Sequence, residues 1–135
     1  MSKWVTKVWG KTRELIDCQF YSKHELQLRA GHHCSLHFHR HRANKFHVTS
    51  GEVEIIEFYG PKVERTTLRG DNVHSVPSLV PHLFVVHDGG TMFEEYYSDR
   101  GGPVQRDDIV RLVLGGKVNS FSTLVQDLLK EYHGQ

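Results

Sequence analysis

The chain has 135 residues, the size of one domain built around a single hydrophobic core. Its 17 basic and 16 acidic residues leave a formal net charge of only +1, which excludes strong electrostatic attraction to nucleic acid or to an anionic membrane. No apolar run approaches the roughly 18 residues of a membrane span, and the opening residues lack the apolar stretch of a secretory signal, so we expect a cytoplasmic protein.

Residues 13 to about 97 divide into short segments of strand length, several of which alternate with period two. Turns that contain glycine or proline separate them. The segments are RELIDC, KHELQLRA, CSLHFH, KFHVTS, EVEIIEFYG, KVERTTLRG, NVHSVP, LFVVH and MFEEYY. Many short strands at such intervals are typical of a β-sandwich or barrel. We therefore predict one all-β domain whose barrel spans about residues 13 to 114, with DIVRLVL as its last strand.

The C-terminal segment changes to helical spacing, and we predict a helix over about residues 120 to 133. Its apolar stripe consists of Leu124, Val125, Leu128, Leu129 and Tyr132. Thr123 and Gln126 have the spacing of a capping box, and Gly134 is a suitable stop. We expect the helix to cover an open edge or end of the barrel, and the alternative is a dimer contact.

The two cysteines, Cys18 and Cys34, are too few for a disulfide framework, and neither lies in CxxC spacing. We expect both to be small, buried and reduced side chains.

The stretch GHHCSLHFHRHRANKFH, residues 31 to 47, holds six of the eleven histidines. On an extended strand alternate side chains share a face, so His37, His39 and His41 would point the same way. An HxH pair places two imidazoles side by side, close enough for one divalent metal ion, and a third ligand must come from elsewhere in the fold. His82 is the best candidate, because Pro77 and Pro81 stiffen the loop that delivers it.

The remaining histidines have weaker cases. We expect His87 to face the opposite side from His82, and we expect His47 and His74, beside turns, to be hydrogen-bonded or exposed. The others have no evident partner or flank the HxH pair without chemistry of their own; they are His24, His32, His33 and His133.

These motifs resemble those of the cupin superfamily. The first motif reads Gly31, five residues, His37-Phe38-His39, four residues, Asn44, six residues and Gly51. The second begins at Gly70-Asp71 and ends at His82, and the resemblance covers roughly residues 23 to 97. It implies a double-stranded β-helix, or jelly-roll barrel, with a small-molecule ligand inside, and a homodimer.

The resemblance also implies a metal centre. His37, His39 and His82 would ligate zinc, iron, nickel or manganese, with Asn44 in the place of the usual glutamate. A neutral amide brings no negative charge, so we expect weaker or more selective metal binding than with a carboxylate. Leu79 replaces the usual glycine of the second motif, which would narrow the entrance.

A closer likeness is to cupins of the mannose-6-phosphate isomerase type, through HRHRANKFHVTSG and DDIVRL. An isomerase of sugar phosphates needs a metal to polarise oxygens, a base to carry the proton and a cation for the phosphate. The candidate bases are His41, Glu94 and Glu95, and one of the two glutamates should point inward. The candidate cations are Arg40, Arg42 and Arg111.

Three alternatives stay open at this stage. A three-histidine iron site without a carboxylate also suits a dioxygenase. A small cupin can instead bind a sugar in its barrel without turnover. The third alternative is an emptied cupin, in which the histidines hydrogen-bond to each other or to water.

Overall fold

The computed structural model describes residues 3–134. Within that range the strands are β1 Val5–Lys7, β2 Gly10–Cys18, β3 Tyr21–Leu28, β4 His32–His33, β5 Leu36–Phe38, β6 Arg42–Val48, β7 Glu52–Tyr59, β8 Lys62–Leu68, β9 Val73–Val76, β10 His82–Asp88, β11 Gly90–Ser98, β12 Val110–Val113 and β13 Gly116–Lys117. The helix α1 spans Leu124–His133. No helix among these residues is long and apolar enough to span a membrane.

The strands form two antiparallel sheets. The first sheet has six strands in the order β1-β2-β3-β11-β6-β9. The second has seven, in which β10 is central: β4 and β5 pair with one side of it, and β7 and then β8 follow on the other side. On the side of β4 and β5, β13 pairs with β4, and β12 pairs with β5. The predicted all-β jelly-roll with a C-terminal helix is confirmed.

The hydrophobic core lies between the two sheets. Leu26, Phe46 and Met92 of the first sheet are buried, as are Ile55 and Phe84 of the second. Each such side chain contributes about 1.5–3 kcal/mol when it is fully buried. Polar side chains that share this inner face are therefore held by a rigid apolar frame.

The barrel begins earlier than residue 13, because β1 and the start of β2 form a hairpin. This hairpin approaches β3 so closely that a Cβ atom at Gly10 would lie 1.9 Å from the carbonyl oxygen of Gln27. Gly10 also has φ +143°, which only glycine adopts readily. The barrel also ends later than predicted, since β13 follows residue 114.

The helix begins at Leu124, not near residue 120, and buries Leu124 and Leu128. It packs against β12, an edge strand of the second sheet. The predicted capping box does not form, because the Thr123 hydroxyl donates to the Asp127 carboxylate at 3.0 Å instead. A dimer contact through the helix stays a prediction.

The two cysteines differ in their surroundings. Cys34 is buried as predicted, but Cys18 is exposed, so that prediction is wrong. The reason is its place at the last position of β2, where the chain turns towards β3 beyond the apolar core.

Candidate metal site and its cavity

Three histidines converge on the inner face of the second sheet. His37 on β5 lies directly opposite His82 on β10, and His39 follows β5 by one residue. The ring centroids of His37 lie 4.9 Å from His39 and 4.6 Å from His82. One potential ligand atom from each residue lies within 4.8 Å of the others.

Backbone carbonyls hold each imidazole in one tautomer. Nδ1 of His37 lies 2.7 Å from the Ser35 carbonyl, and Nδ1 of His82 lies 2.8 Å from that of Val80. Nδ1 of His39 lies 2.6 Å from the carbonyl of Asp108, across the barrel mouth. A carbonyl only accepts, so these contacts place the proton on Nδ1 and leave the lone pair on Nε2, as a metal ligand requires. At His39 the Arg42 Nε donor also approaches Nδ1, at 3.3 Å, and the much shorter contact with the Asp108 carbonyl decides the tautomer.

Burial keeps all three imidazoles neutral at pH 7. It holds the pKa of His37 well below its usual range, and the neighbouring His82 and His39 rings lower that pKa further. Burial and the Arg42 guanidinium lower the pKa of His39 to about 3. Burial lowers the pKa of His82 to about 4. A neutral imidazole is the form that binds a metal ion.

The site contains polar atoms with no protein partner. Among the described residues four buried side-chain nitrogen or oxygen atoms lack a hydrogen bond: His39 Nε2, His82 Nε2, Asn44 Oδ1 and Ser98 Oγ. Unpaired buried acceptors are rare and costly, because burial strips their water. Three neutral, pre-oriented histidines, two of them with unpaired Nε2 atoms, therefore form a site for one divalent metal ion, as predicted.

Asn44 lies in the interior on β6, in register with Tyr96 on β11. Its Nδ2 donates to Glu94 Oε2 at 2.9 Å, while its Oδ1 has no partner. The amide thus orients the inward carboxylate of Glu94, and its role as a fourth metal ligand stays a prediction.

His41 does not share the face of the other two histidines. The regular strand ends at Phe38, and the chain turns where the backbone N–H groups of Arg40 and His41 donate to the Asp108 carboxylate at 2.8 and 2.9 Å. Both side chains are exposed on that turn. The alternation that placed His41 beside the metal therefore stops one residue after the strand, and neither side chain lines the large cavity.

A cavity of about 410 Å³ adjoins the metal site through His37. Its walls come from the β1–β2 hairpin, β3, β11, β12 and the segment 99–109. Its charged and titratable lining includes His24, Arg42, Glu94, Arg106 and Arg111. This volume lies in the range of small-molecule sites, about 300–1,000 Å³.

The two candidate glutamates on β11 point in opposite directions. Glu94 lines the cavity beside the metal site. Burial raises the pKa of Glu94 to about 7, although hydrogen bonds from Tyr96 and Asn44 and the charge of Arg42 oppose that rise. Glu95 faces outward and accepts a hydrogen bond from the Tyr21 hydroxyl at 2.7 Å. Parity thus places Glu94 in the site and Glu95 outside it.

The predicted cations are placed unequally. Arg42 is buried, with its guanidinium carbon 3.7 Å from the centre of the Tyr96 ring and its Nη1 donating to the Gln105 carbonyl at 2.9 Å. Arg111 lies across from His37 on β12 and lines the cavity, without an ion-pair partner among residues 3–134. Arg106, also in the lining, is paired with Glu14 and Asp17.

Three further residues belong to the site although no role in metal binding or catalysis was predicted for them. Asp108 orients His39 through its carbonyl and caps the turn through its carboxylate. Tyr96 packs its ring edge-on against His39, with centroids 5.3 Å apart. His24 lines the cavity on β3. Period two along KHELQLRA and MFEEYY would have placed His24 and Tyr96 inward once the inner face of each strand was known.

Two further predictions concern residues outside the cavity. Leu79 adopts φ 69°, a region that favours glycine, and its N–H donates to the His39 carbonyl at 2.6 Å. Its side chain is exposed and is not in the lining of the 410 Å³ cavity, and its effect on the entrance stays a prediction. His47 and His74 are hydrogen-bonded as predicted, to Asp71 and Glu57.

No protein-family model matches the sequence, and no curated protein sequence matches it significantly. Solved structures match it in three dimensions. A point mutant of oxalate decarboxylase OxdC from Bacillus subtilis superposes with a TM-score of 0.69 and 14% identity over 82% of this chain and 30% of that chain. A further structure of that decarboxylase concerns its Mn(II) centres.

The capsular polysaccharide assembling protein CapF from Staphylococcus aureus superposes with a TM-score of 0.68 and 16% identity, over 84% of this chain and 35% of that chain. The present chain thus spans about a third of the length of the structures it matches. At such identities the likeness establishes the fold.

Proposed function

We propose that the cupin fold, which this chain shares with these structures, here holds one divalent metal ion and isomerises a small sugar or sugar phosphate. One observation carries the proposal: a cluster of three buried, neutral histidines, in which His39 and His82 have unpaired Nε2 atoms, adjoins through His37 a cavity that is also lined by a carboxylate of raised pKa. The likeness of RHRANKF and DDIVRL to isomerase-type cupins supports it.

The bound metal would polarise the carbonyl and hydroxyl oxygens of the substrate. Glu94 then supplies the base, because its carboxylate lines the cavity and its pKa of about 7 suits both taking and returning a proton at neutral pH. Asn44 fixes the orientation of that carboxylate through its 2.9 Å hydrogen bond.

A phosphate or other anionic group of the substrate is assigned to Arg111. Its guanidinium has no competing carboxylate among the residues described, whereas that of Arg106 is already held by two. Arg42 has another task, since it ties the segment 99–109 to Tyr96 in the cavity wall. Planar guanidinium groups match phosphate oxygens in a bidentate manner.

A second candidate function is oxygen chemistry at iron. The three imidazoles come without a carboxylate ligand, because Glu94 is hydrogen-bonded to Asn44 and is absent from the ligand cluster. Such a neutral ligand set leaves positions open for a substrate and dioxygen.

The first experiment is metal analysis by inductively coupled plasma mass spectrometry on untagged protein. We expect near-stoichiometric metal in the natural chain and almost none in the His37→Ala/His39→Ala double variant. The matched control is His47→Ala/His133→Ala, which removes two imidazoles outside the cluster and should keep the metal. Equal metal content in both double variants would refute the site.

Turnover is then measured with the protein loaded with zinc, manganese, nickel or iron. Interconversion of mannose 6-phosphate or glucose 6-phosphate with its ketose, lost in Glu94→Gln, supports the isomerase. Oxygen consumption by the iron form alone would favour the oxygenase. Metal and sugar binding without either reaction would identify a binding protein.

A further inference from the structure

Three titratable side chains form a row across the inner face of the first sheet. The strand registers place Glu14 of β2 opposite His24 of β3, and His24 opposite Glu94 of β11. All three line the cavity. Residues directly opposite each other on antiparallel strands have Cβ atoms about 4.5–5.5 Å apart, so His24 lies beside the carboxylate already assigned as the base.

The His24 ring is held in position without using its nitrogens. It packs edge-on against the Tyr96 ring, with centroids 5.8 Å apart and an interplanar angle of 83°. Neither ring nitrogen is hydrogen-bonded to another residue of the range 3–134. Both are thus free for a ligand in the cavity.

No other histidine combines these properties. Most of the other imidazoles are hydrogen-bonded to a carbonyl or a carboxylate: His32, His33, His37, His39, His47, His74, His82 and His87. The remaining two, His41 and His133, are exposed and outside the cavity. Buried polar groups normally find partners, so a half-buried free imidazole that faces a cavity is suited to a substrate.

We propose that His24 is a second catalytic residue, which moves a proton between the two neighbouring oxygens of a hydroxy-carbonyl substrate while Glu94 moves the proton on carbon. This inference rests on the proposed isomerase function. It assigns the two proton transfers of an aldose–ketose interconversion to two different side chains.

Two proton transfers convert the aldose into the ketose. Glu94 takes the proton from C2, the C–H electrons form the C1=C2 bond, and the carbonyl electrons pass to O1. Neutral His24 takes the hydroxyl proton from O2 and delivers it to O1. The electrons on O2 then form the C2 carbonyl, the C1=C2 electrons take the proton from Glu94 at C1, and both side chains return to their starting states.

The electrostatic setting agrees with this role. Burial lowers the pKa of His24, and the charges of Arg42 and Arg106 lower it further. The imidazole is therefore neutral at pH 7 and can accept the hydroxyl proton.

The test separates the two transfers with metal-loaded protein in D2O. The probes are mannose 6-phosphate, glucose 6-phosphate and mannose, followed by ¹H NMR. His24→Gln should lower ketose formation about 100-fold while exchange of the C2 proton for deuterium stays within about threefold. Glu94→Gln should lose both reactions, and His133→Gln should keep both.

Each outcome distinguishes the two proposals. Ketose formation that survives in His24→Gln, or exchange that falls in parallel with it, would overturn the role of His24 and leave the isomerase standing. Natural protein that catalyses neither exchange nor conversion of any probe would overturn the isomerase proposal and this inference with it.

A second readout needs neither metal nor turnover. In metal-free protein labelled with ¹⁵N-histidine, saturating mannose 6-phosphate should shift the His24 ring nitrogens and leave those of His133 unchanged. Unshifted His24 signals in protein that binds the sugar phosphate would contradict direct contact.

Discussion

Two clusters of buried polar side chains lie next to each other on the inner face of the second sheet, and they differ in how their atoms are satisfied. Glu57 stands opposite His82 in the strand register and is only 2% exposed. Its carboxylate accepts hydrogen bonds from His74 and from the Tyr59 hydroxyl, the latter at 2.6 Å. The neighbouring metal cluster instead leaves Nε2 of His39 and His82 unpaired.

The difference separates a structural polar group from a binding site. Burial and the Glu57 carboxylate raise the pKa of Tyr59 to about 12, so this phenol remains a donor throughout the physiological range. The Glu57 cluster is thus complete without a ligand, whereas the three-histidine cluster is complete only with one.

The largest expected effect is acid destabilisation of the metal-free protein. The pKa of His82 falls from 6.5 to about 4 on folding, so the unfolded chain binds more protons between these values and stability is lost as pH falls. The loss is on the order of 3 kcal/mol for His82 alone. Urea unfolding of the natural chain and His82→Leu at pH 7.5 and 4.5 measures it; equal pH dependence of the two proteins would contradict it.

His74→Leu should lower the free energy of unfolding by about 3 kcal/mol, because it removes a hydrogen-bond partner from the buried Glu57 carboxylate. The matched control is His47→Leu, whose partner Asp71 is 76% exposed and whose loss should cost under about 0.5 kcal/mol. Urea unfolding at pH 7.5 compares the two variants. A similar loss of stability in both variants would show that the His74–Glu57 pair contributes no more than the exposed His47–Asp71 pair.

A metal ion should stabilise the folded protein through the three-histidine cluster and not through the Glu57 cluster. At a free zinc concentration about 100 times its dissociation constant, the free energy of unfolding should rise by about 2.7 kcal/mol. His74→Leu should keep this increment and His37→Ala/His39→Ala should lose it, as thermal unfolding with and without zinc will show. An increment retained in the double variant would place the zinc elsewhere.

The smallest effect is expected for His82→Leu in metal-free protein at pH 7.5. The substitution removes one hydrogen bond to Val80 but also an unpaired buried Nε2, so the net change should stay within about 1 kcal/mol. A cost above about 3 kcal/mol in urea unfolding would show that the imidazole is a structural group like Glu57.

The local spacing of the sequence predicted the β architecture, though not the start of the helix at Leu124. Period-two segments and the HxH pair followed by His82 predicted the barrel and three histidines that the fold brings together. Extrapolating the same period beyond Phe38 placed His41 wrongly, because the Asp108 carboxylate turns the chain there.

The sequence by itself determined which side chains share a face of each strand, since the alternation of side chains depends on backbone geometry alone. It could not determine which face of a strand is the inner one, because that choice follows from packing across sheets. On β11, which pairs with β3 and β6, Met92 is buried in the core. Glu94 lies two residues after Met92 and therefore shares its inward face, whereas Glu95 points outward. The same packing brings Glu14, His24 and Glu94, separated by up to 80 positions, into one row.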